Sequence, residues 1–282
     1  MLKILHTADW HLGKRLQEYS RLEEQTLVLD EICKIADQEN VDLVLLAGDI
    51  FDTFNPAHEA VELLYKTLRR LSKNGTRPIL AISGNHDSTQ FVEAPDPLAR
   101  ELGIFFYSRY DSVIPCGKLD SGIEILKSES GFLELKLPQA EFPVRVILAP
   151  YANEVSLRTY LGEENREAEF RKLLSSKWQD LADRNCDEKG LNLFLGHFFF
   201  MKEGEKAEAE PESESLPGAS RKPSTRPATA AVPSRPMVPL RVCSAAGLIA
   251  GTVPTIGISS TSRTMPKAMV LAVLQAMQAR RG

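Results

Sequence analysis

Apolar residues in the first hundred positions follow two periods in turn. The near-continuous runs "LKILHT" (2–7), "VDLVLLAG" (41–48) and "RPILAIS" (77–83) predict strands, with 41–48 covered on both faces. Between them, "RLEEQTLVLDEICKIADQE" (21–39) sets Leu22, Leu27, Leu29, Ile32 and Ile35 at helical spacing. "HEAVELLYKTLRRLSKNG" (58–75) predicts a second helix, with Lys and Arg late and Gly75 as its stop. Strand, helix, strand, helix, strand is the order of an α/β sheet with parallel elements and right-handed crossovers. After residue 90 the elements shorten. "IFFY" (104–107), "SVIP" (112–115), "GIEIL" (122–126), "GFLELKL" (131–137) and "VRVILAP" (144–150) predict strands, several of them antiparallel. A helix over 165–183 and a buried strand "LNLFLG" (191–196) follow. The fold class expected is α/β: two mixed β-sheets packed face to face, flanked by helices in four layers, with an irregular C-terminal tail.

Composition changes this picture at one place. The net charge of −4 argues against a binder of nucleic acid that relies on electrostatics alone, but not against an enzyme that holds nucleic acid through metals. That average conceals a break. Glu214 is the last acidic residue; 215–282 holds nine basic residues and eight of the 17 prolines. The division expected is a main domain over 1–200, a charged linker over 201–215 and an acid-free, low-complexity tail over 216–282. Within that tail, "MPKAMVLAVLQAMQA" (265–279) has the pattern of a short apolar helix. Four scattered cysteines without a CxxC pair, and no N-terminal secretion pattern, predict reduced thiols and a cytoplasmic chain without a membrane segment.

Four of the predicted strands run into side chains that bind cations: Asp9-Trp10-His11, Gly48-Asp49-Ile50-Phe51-Asp52, Gly84-Asn85-His86-Asp87 and Gly196-His197. Sites in open α/β sheets gather at the carboxyl ends of the strands, where loops bring distant residues to one point. Carboxylate, imidazole and amide oxygen without thiolate suit Mn²⁺ or Fe²⁺ and, less selectively, Zn²⁺. A carboxylate such as Asp49 is able to bridge two ions, and ions about 3.5–4 Å apart clamp a phosphate. Taken singly, each piece has a plain structural explanation. Asp49 closes a turn, Asn85 takes a left-handed turn and His197 is a core histidine. All four in order, each after an apolar run, point to a shared metal centre. His6, inside the first strand, is read as core or as support for the site, and His58, opening a helix, as surface.

"DWHLG", "GDIFD", "GNHD" and "GH", in this order, resemble the calcineurin-like binuclear metallophosphoesterases. Within them, "KILHTADWHLGK", "VLLAGDIFDTFNP" and "SGNHDS" resemble the nuclease subunits of bacterial DNA exonuclease complexes. The resemblance covers residues 1 to about 212. It implies hydrolysis of DNA phosphodiesters in recombination and repair, two divalent ions (Mn²⁺ foremost), an SMC-like ATPase partner and a possible homodimer. Carried onto this sequence, it makes Asp9 and His11 ligands of one ion, Asp49 the bridge, and Asn85 and His197 ligands of the other. His86 becomes the proton donor or phosphate-orienting group, with Asp87 positioning its ring and Asp52 outside the ligand shell. A different phosphoesterase acting on small phosphoesters, and a non-catalytic remnant, are the rival readings. The family's later Gly-His-x-His motif does not follow His197, the last histidine. Its loss at the point where the acids vanish gives a further expectation, that the chain from about 215 is read in a shifted frame and is impaired in activity.

Overall fold

In chain order the described elements are β1 (Leu2–Thr7), β2 (Arg15–Leu16), β3 (Tyr19–Ser20), α1 (Leu22–Gln38), β4 (Leu43–Ala47), α2 (His58–Leu71) and β5 (Ile79–Ile82). Then come α3 (Thr89–Glu93), α4 (Asp96–Glu101), β6 (Ile104–Tyr107), β7 (Gly117–Lys118), β8 (Glu124–Glu129), β9 (Phe132–Lys136) and β10 (Val144–Ala149). α5 (Arg166–Asn185), β11 (Leu191–Gly196), β12 (Phe199–Phe200), β13 (Thr229–Ala230), β14 (Leu240–Ser244) and β15 (Ala268–Ala272) complete them. The structure, a computed structural model, describes residues 2–152, 157 and 166–200, and the strand backbones at 229–230, 240–244 and 268–272.

One sheet has the order β15-β1-β4-β5-β6 and is parallel at every pair; between β1, β4, β5 and β6 helical crossovers return the chain to the same end each time. The other, β14-β11-β10-β9-β8-β7, is mixed: parallel from β14 to β10, antiparallel from β10 to β7. Only the second sheet is therefore mixed as expected. Strand alternation sorts the apolar residues into three cores. Leu2, Ile4, Leu43, Leu45, Leu80 and Ile82 meet Val144, Val146, Leu193 and Leu195 between the sheets. Leu5, Val44, Leu46, Ile79 and Ala81 face α1 and α2. Ile147 and Phe194 face α5 through Leu174 and Trp178. Helix, sheet, sheet, helix is the four-layer sandwich expected. Tyr107 ties the two sheets together, its hydroxyl donating to the Glu129 carbonyl (2.8 Å) and accepting from the Gly131 N–H (2.8 Å).

Further sequence expectations fail. "SVIP" is not a strand: Pro115 has no N–H to give a ladder, and the Ile114 N–H donates to the Ser128 hydroxyl (2.9 Å) instead. The apolar stretch expected as a helix over 265–279 holds strand β15 at Ala268–Ala272, laid parallel along the free edge of β1. β14 extends the other sheet beside β11 in the same way, so the tail is not irregular at these stretches. The linker, and the tail apart from β13, β14 and β15, lie outside the described residues.

His6 is buried on the β1 face shared with Leu2 and Ile4, between the sheets, and its Nε2 has no hydrogen-bond partner among the described residues. Burial pushes its imidazole down from the ordinary 6.5 to about 4. The folded chain thus resists a proton that the unfolded chain accepts. This contribution to stability is complete above pH 6.5 and is lost as the pH falls toward 4, by up to ~3 kcal/mol. Urea unfolding of metal-free protein at pH 7 and pH 4 checks it. His6→Leu should flatten part of the acid-side loss, and an unchanged slope would place the source elsewhere.

Candidate metal centre

Because β1, β4 and β5 are parallel, their C-terminal ends emerge along one edge, and the loop that follows each strand starts there. The first two loops are laddered together. Asp9 N–H donates to Gly48 O (3.1 Å), His11 N–H to Asp49 O (2.9 Å) and Leu12 N–H to Ile50 O (2.9 Å). Asp9, His11 and Asp49 all take left-handed backbone, with φ of 55°, 42° and 48°. Such a conformation costs a non-glycine residue ~1–3 kcal/mol and persists only where neighbours fix it. Gln25 of α1, buried, is one such neighbour. Its amide donates to the carbonyls of His11 (2.7 Å) and Trp10 (3.3 Å) and accepts from the Gly13 N–H (3.0 Å).

The glycines at the strand ends leave room for the donors. A Cβ at Gly84 would overlap the Asp49 carboxylate, and one at Gly48 (φ +84°) would enter the His197 ring. His197 reaches across from β11 of the second sheet. Its Nδ1 donates to Ala47 O (2.8 Å), which leaves Nε2 facing Asn85 Oδ1 (3.0 Å) and Asp49 Oδ1 (3.5 Å). With Nδ1 carrying its proton, Nε2 and these oxygens direct lone pairs at one another, and only a cation or a second proton resolves the contact. Burial works against charge on His197, but Asp49 and then Asp9 outweigh it and raise its affinity for a proton. The chemistry of this donor set fits a metal ion.

Two groups of donors gather, each within a 4.8 Å span: His11 with Asp49 and His86, and Asp9 with Asp49 and His197. Asp49, 4% exposed, belongs to both. The structure therefore brings all five expected ligands together, but it sets Asp9 beside His197 and lets His86 face the first group beside His11. The His11 and His86 rings meet edge to face at 4.9 Å. Burial, opposed by Asp49, pushes the His11 imidazole down to about 4, so it is neutral and able to ligate at pH 7. Its buried Nδ1 has no hydrogen-bond partner among the described residues, the nearest carboxylate oxygen being Asp52 Oδ1 at 3.6 Å.

Asp87 does not touch the ring it was expected to position. His86 Nδ1 pairs with the backbone carbonyl of Asp52 (3.0 Å), which leaves Nε2 free. The Asp87 carboxylate instead accepts the N–H groups of Ile50 (3.1 Å), Phe51 (2.9 Å) and Gly84 (2.8 Å). Burial and then Asp49 raise its pKa to about 6, against the pull of these donors. Asp52 stands outside both groups, with Lys14 Nζ 3.9 Å away, and His58 is exposed at the start of α2. Sequence reasoning missed Gln25, which carried no signal beyond an amide on an otherwise apolar helix face.

The profile of the calcineurin-like phosphoesterase family matches residues 2–198. The chain is 52% identical over 103 residues to the SbcD component of nuclease SbcCD from Bacillus subtilis (36% of this chain, 26% of that protein). It is 45% identical over 104 residues to the component of the same name in Rhodobacter capsulatus (36% and 26%). With the Staphylococcus epidermidis counterpart it shares 28% over 196 residues (70% and 46%). It thus spans about a quarter to a half of the length of these relatives.

Because both donor groups share Asp49, Asp49→Ala should abolish binding of two divalent ions, whereas His11→Ala and His197→Ala should each spare one. Metal analysis after Mn²⁺ loading checks this. One tight ion retained by Asp49→Ala would show that the groups are independent.

Proposed function

The chain belongs to the calcineurin-like phosphoesterase family, and from that premise we propose that it acts as the nuclease part of a DNA-processing complex of two proteins. The observation that carries this is the paired donor groups joined through Asp49, within a chain that is 52% identical over 103 residues to the SbcD component of nuclease SbcCD. Two divalent cations, Mn²⁺ foremost, would be held by Asp9, His11, Asp49, Asn85 and His197. When bound, they supply positive charge to a phosphate and acidify water. The residues do the rest. Asp49 holds the two groups at one spacing. His86, its Nδ1–H held by the Asp52 carbonyl, would in its imidazolium form offer Nε2–H to a phosphate oxygen or, as proton donor, to the leaving oxygen. Lys14 and Arg15, with the exposed Leu16 and Tyr19, lie shortly after His11 and combine positive charge with apolar surface, as strand-binding grooves do.

DNA as substrate, an SMC-like ATPase as partner and a second copy of the chain rest on the resemblance and on the relatives' name. No helix among the described residues is long and apolar enough to cross a membrane. The same reading takes 216–282 as a stretch translated out of frame, with one imidazole lost from each ion and Mn²⁺ held less tightly than in an intact relative. Translating the coding DNA beyond codon 215 in the other forward frames should recover acidic residues and a Gly-His-x-His motif; their absence from both frames ends that part of the reading.

The activity test is Mn²⁺-dependent degradation of linear and hairpin DNA against cleavage of a small chromogenic phosphodiester. DNA should be cut, and Asp49→Ala should cut nothing. Cleavage of the small ester alone would favour the small-substrate reading. His86→Ala should keep its metal content while turnover falls about 10²–10⁴-fold, the range for losing a general acid. Loss of an ion in that variant would make His86 a ligand instead.

A further inference from the structure

Asp87 follows His86 in sequence, yet its carboxylate turns away from the ring and into the protein, where it is 3% exposed. There it holds three N–H groups from two different loops. Ile50 and Phe51 belong to the loop after β4, and Gly84 opens the loop after β5. A carboxylate has acceptor sites for all three and no hydrogen to set against them; an amide does not. Among the described residues Asp87 belongs to neither donor group.

The consequence runs through Asp49. Its left-handed backbone (φ 48°) is pinned on one side by the Asp9 N–H on Gly48 O. On the other side the chain is pinned at Ile50 and Phe51, where Asp87 takes the N–H groups while the Leu12 N–H takes Ile50 O. The loop carrying Asp9 and His11 is laddered to this same segment, and His86 N–H donates to Asp49 Oδ1 (3.0 Å). Fixing residues 50, 51 and 84 to one carboxylate therefore fixes all three strand-end loops relative to one another.

We infer that Asp87 is a positioning residue: it ties the Asp49 loop to the Asn85–His86 loop, so that the donors for both ions are in place before either ion arrives. The role in ion binding rests on the metal reading above; the tie itself does not.

The experiment uses the full chain, wild type and Asp87→Asn. Hydrogen exchange is followed at the amides of Ile50, Phe51 and Gly84 in metal-free protein, and Mn²⁺ binding by calorimetry and by the spin-coupled signal of a manganese pair. In the wild type these three amides should be protected like those of β4 and β5. In Asp87→Asn, with its circular dichroism spectrum retained, they should exchange at least ~10-fold faster. Mn²⁺ affinity should fall ~10–100-fold, as for other groups that support metal ligands, and the coupled signal should disappear. Glu62→Gln, in an exposed ion pair with Lys66 on α2, should change none of these readouts. Unchanged exchange and Mn²⁺ affinity in Asp87→Asn, with only turnover reduced, is the signature of a group that orients His86 and overturns the inference. If Asp87→Asn does not fold, rapid exchange of the three amides in the wild type overturns it equally. If the wild type binds no Mn²⁺, the metal reading fails and amide protection alone decides the tie.

Discussion

The Asp49 carboxylate, buried between two imidazoles, is the constraint on which the rest of the site depends. Its Oδ2 lies 3.7 Å from His11 Nε2 and its Oδ1 3.5 Å from His197 Nε2. One imidazole comes from the parallel sheet and the other from the mixed sheet, so the contact exists only when both sheets are packed. Burying a carboxylate without compensation is costly. Here the His86 N–H offsets part of that cost, and a cation would offset more. The inter-sheet core thus does more than stabilise the fold. It sets the distance across which a metal pair would form.

Local geometry shows the same dependence. Asp9, His11 and Asp49 take backbone conformations that cost energy in isolation, and each sits where a loop is pinned by hydrogen bonds from another loop. The strain at these three donors is held by Gln25 on one flank and Asp87 on the other. Nothing comparable falls within β1, β4 or β5, whose interior residues lie in regular ladders.

The sequence made the main chemistry legible because it places each donor directly after an apolar run. Val44, Leu45 and Leu46 announce the strand, and Gly48-Asp49 announces that a polar group leaves its end. Ile79–Ile82 and Leu191–Gly196 were readable for the same reason. The side-chain partners were not. Asp87 stands next to His86 in sequence, but the β5 loop turns between them and sends one carboxylate inward while the ring faces the site. Pairing of Asp9 with His197, and not with His11, depends on how two sheets stack, which strand periodicity does not encode. "SVIP" misled because only Ile114 is buried, from a loop, while Val113 is exposed, and the 265–279 segment because apolar runs of that length serve a strand or a helix equally well.

The central claim is that one carboxylate joins two cation sites at the meeting of the two sheets. Crystals of the chain soaked with Mn²⁺ and measured for anomalous scattering test it most directly. Two peaks about 3.5–4 Å apart are expected, one beside His11 and one beside His197, with the Asp49 carboxylate touching both. A single peak, or two peaks of which only one touches Asp49, would contradict it.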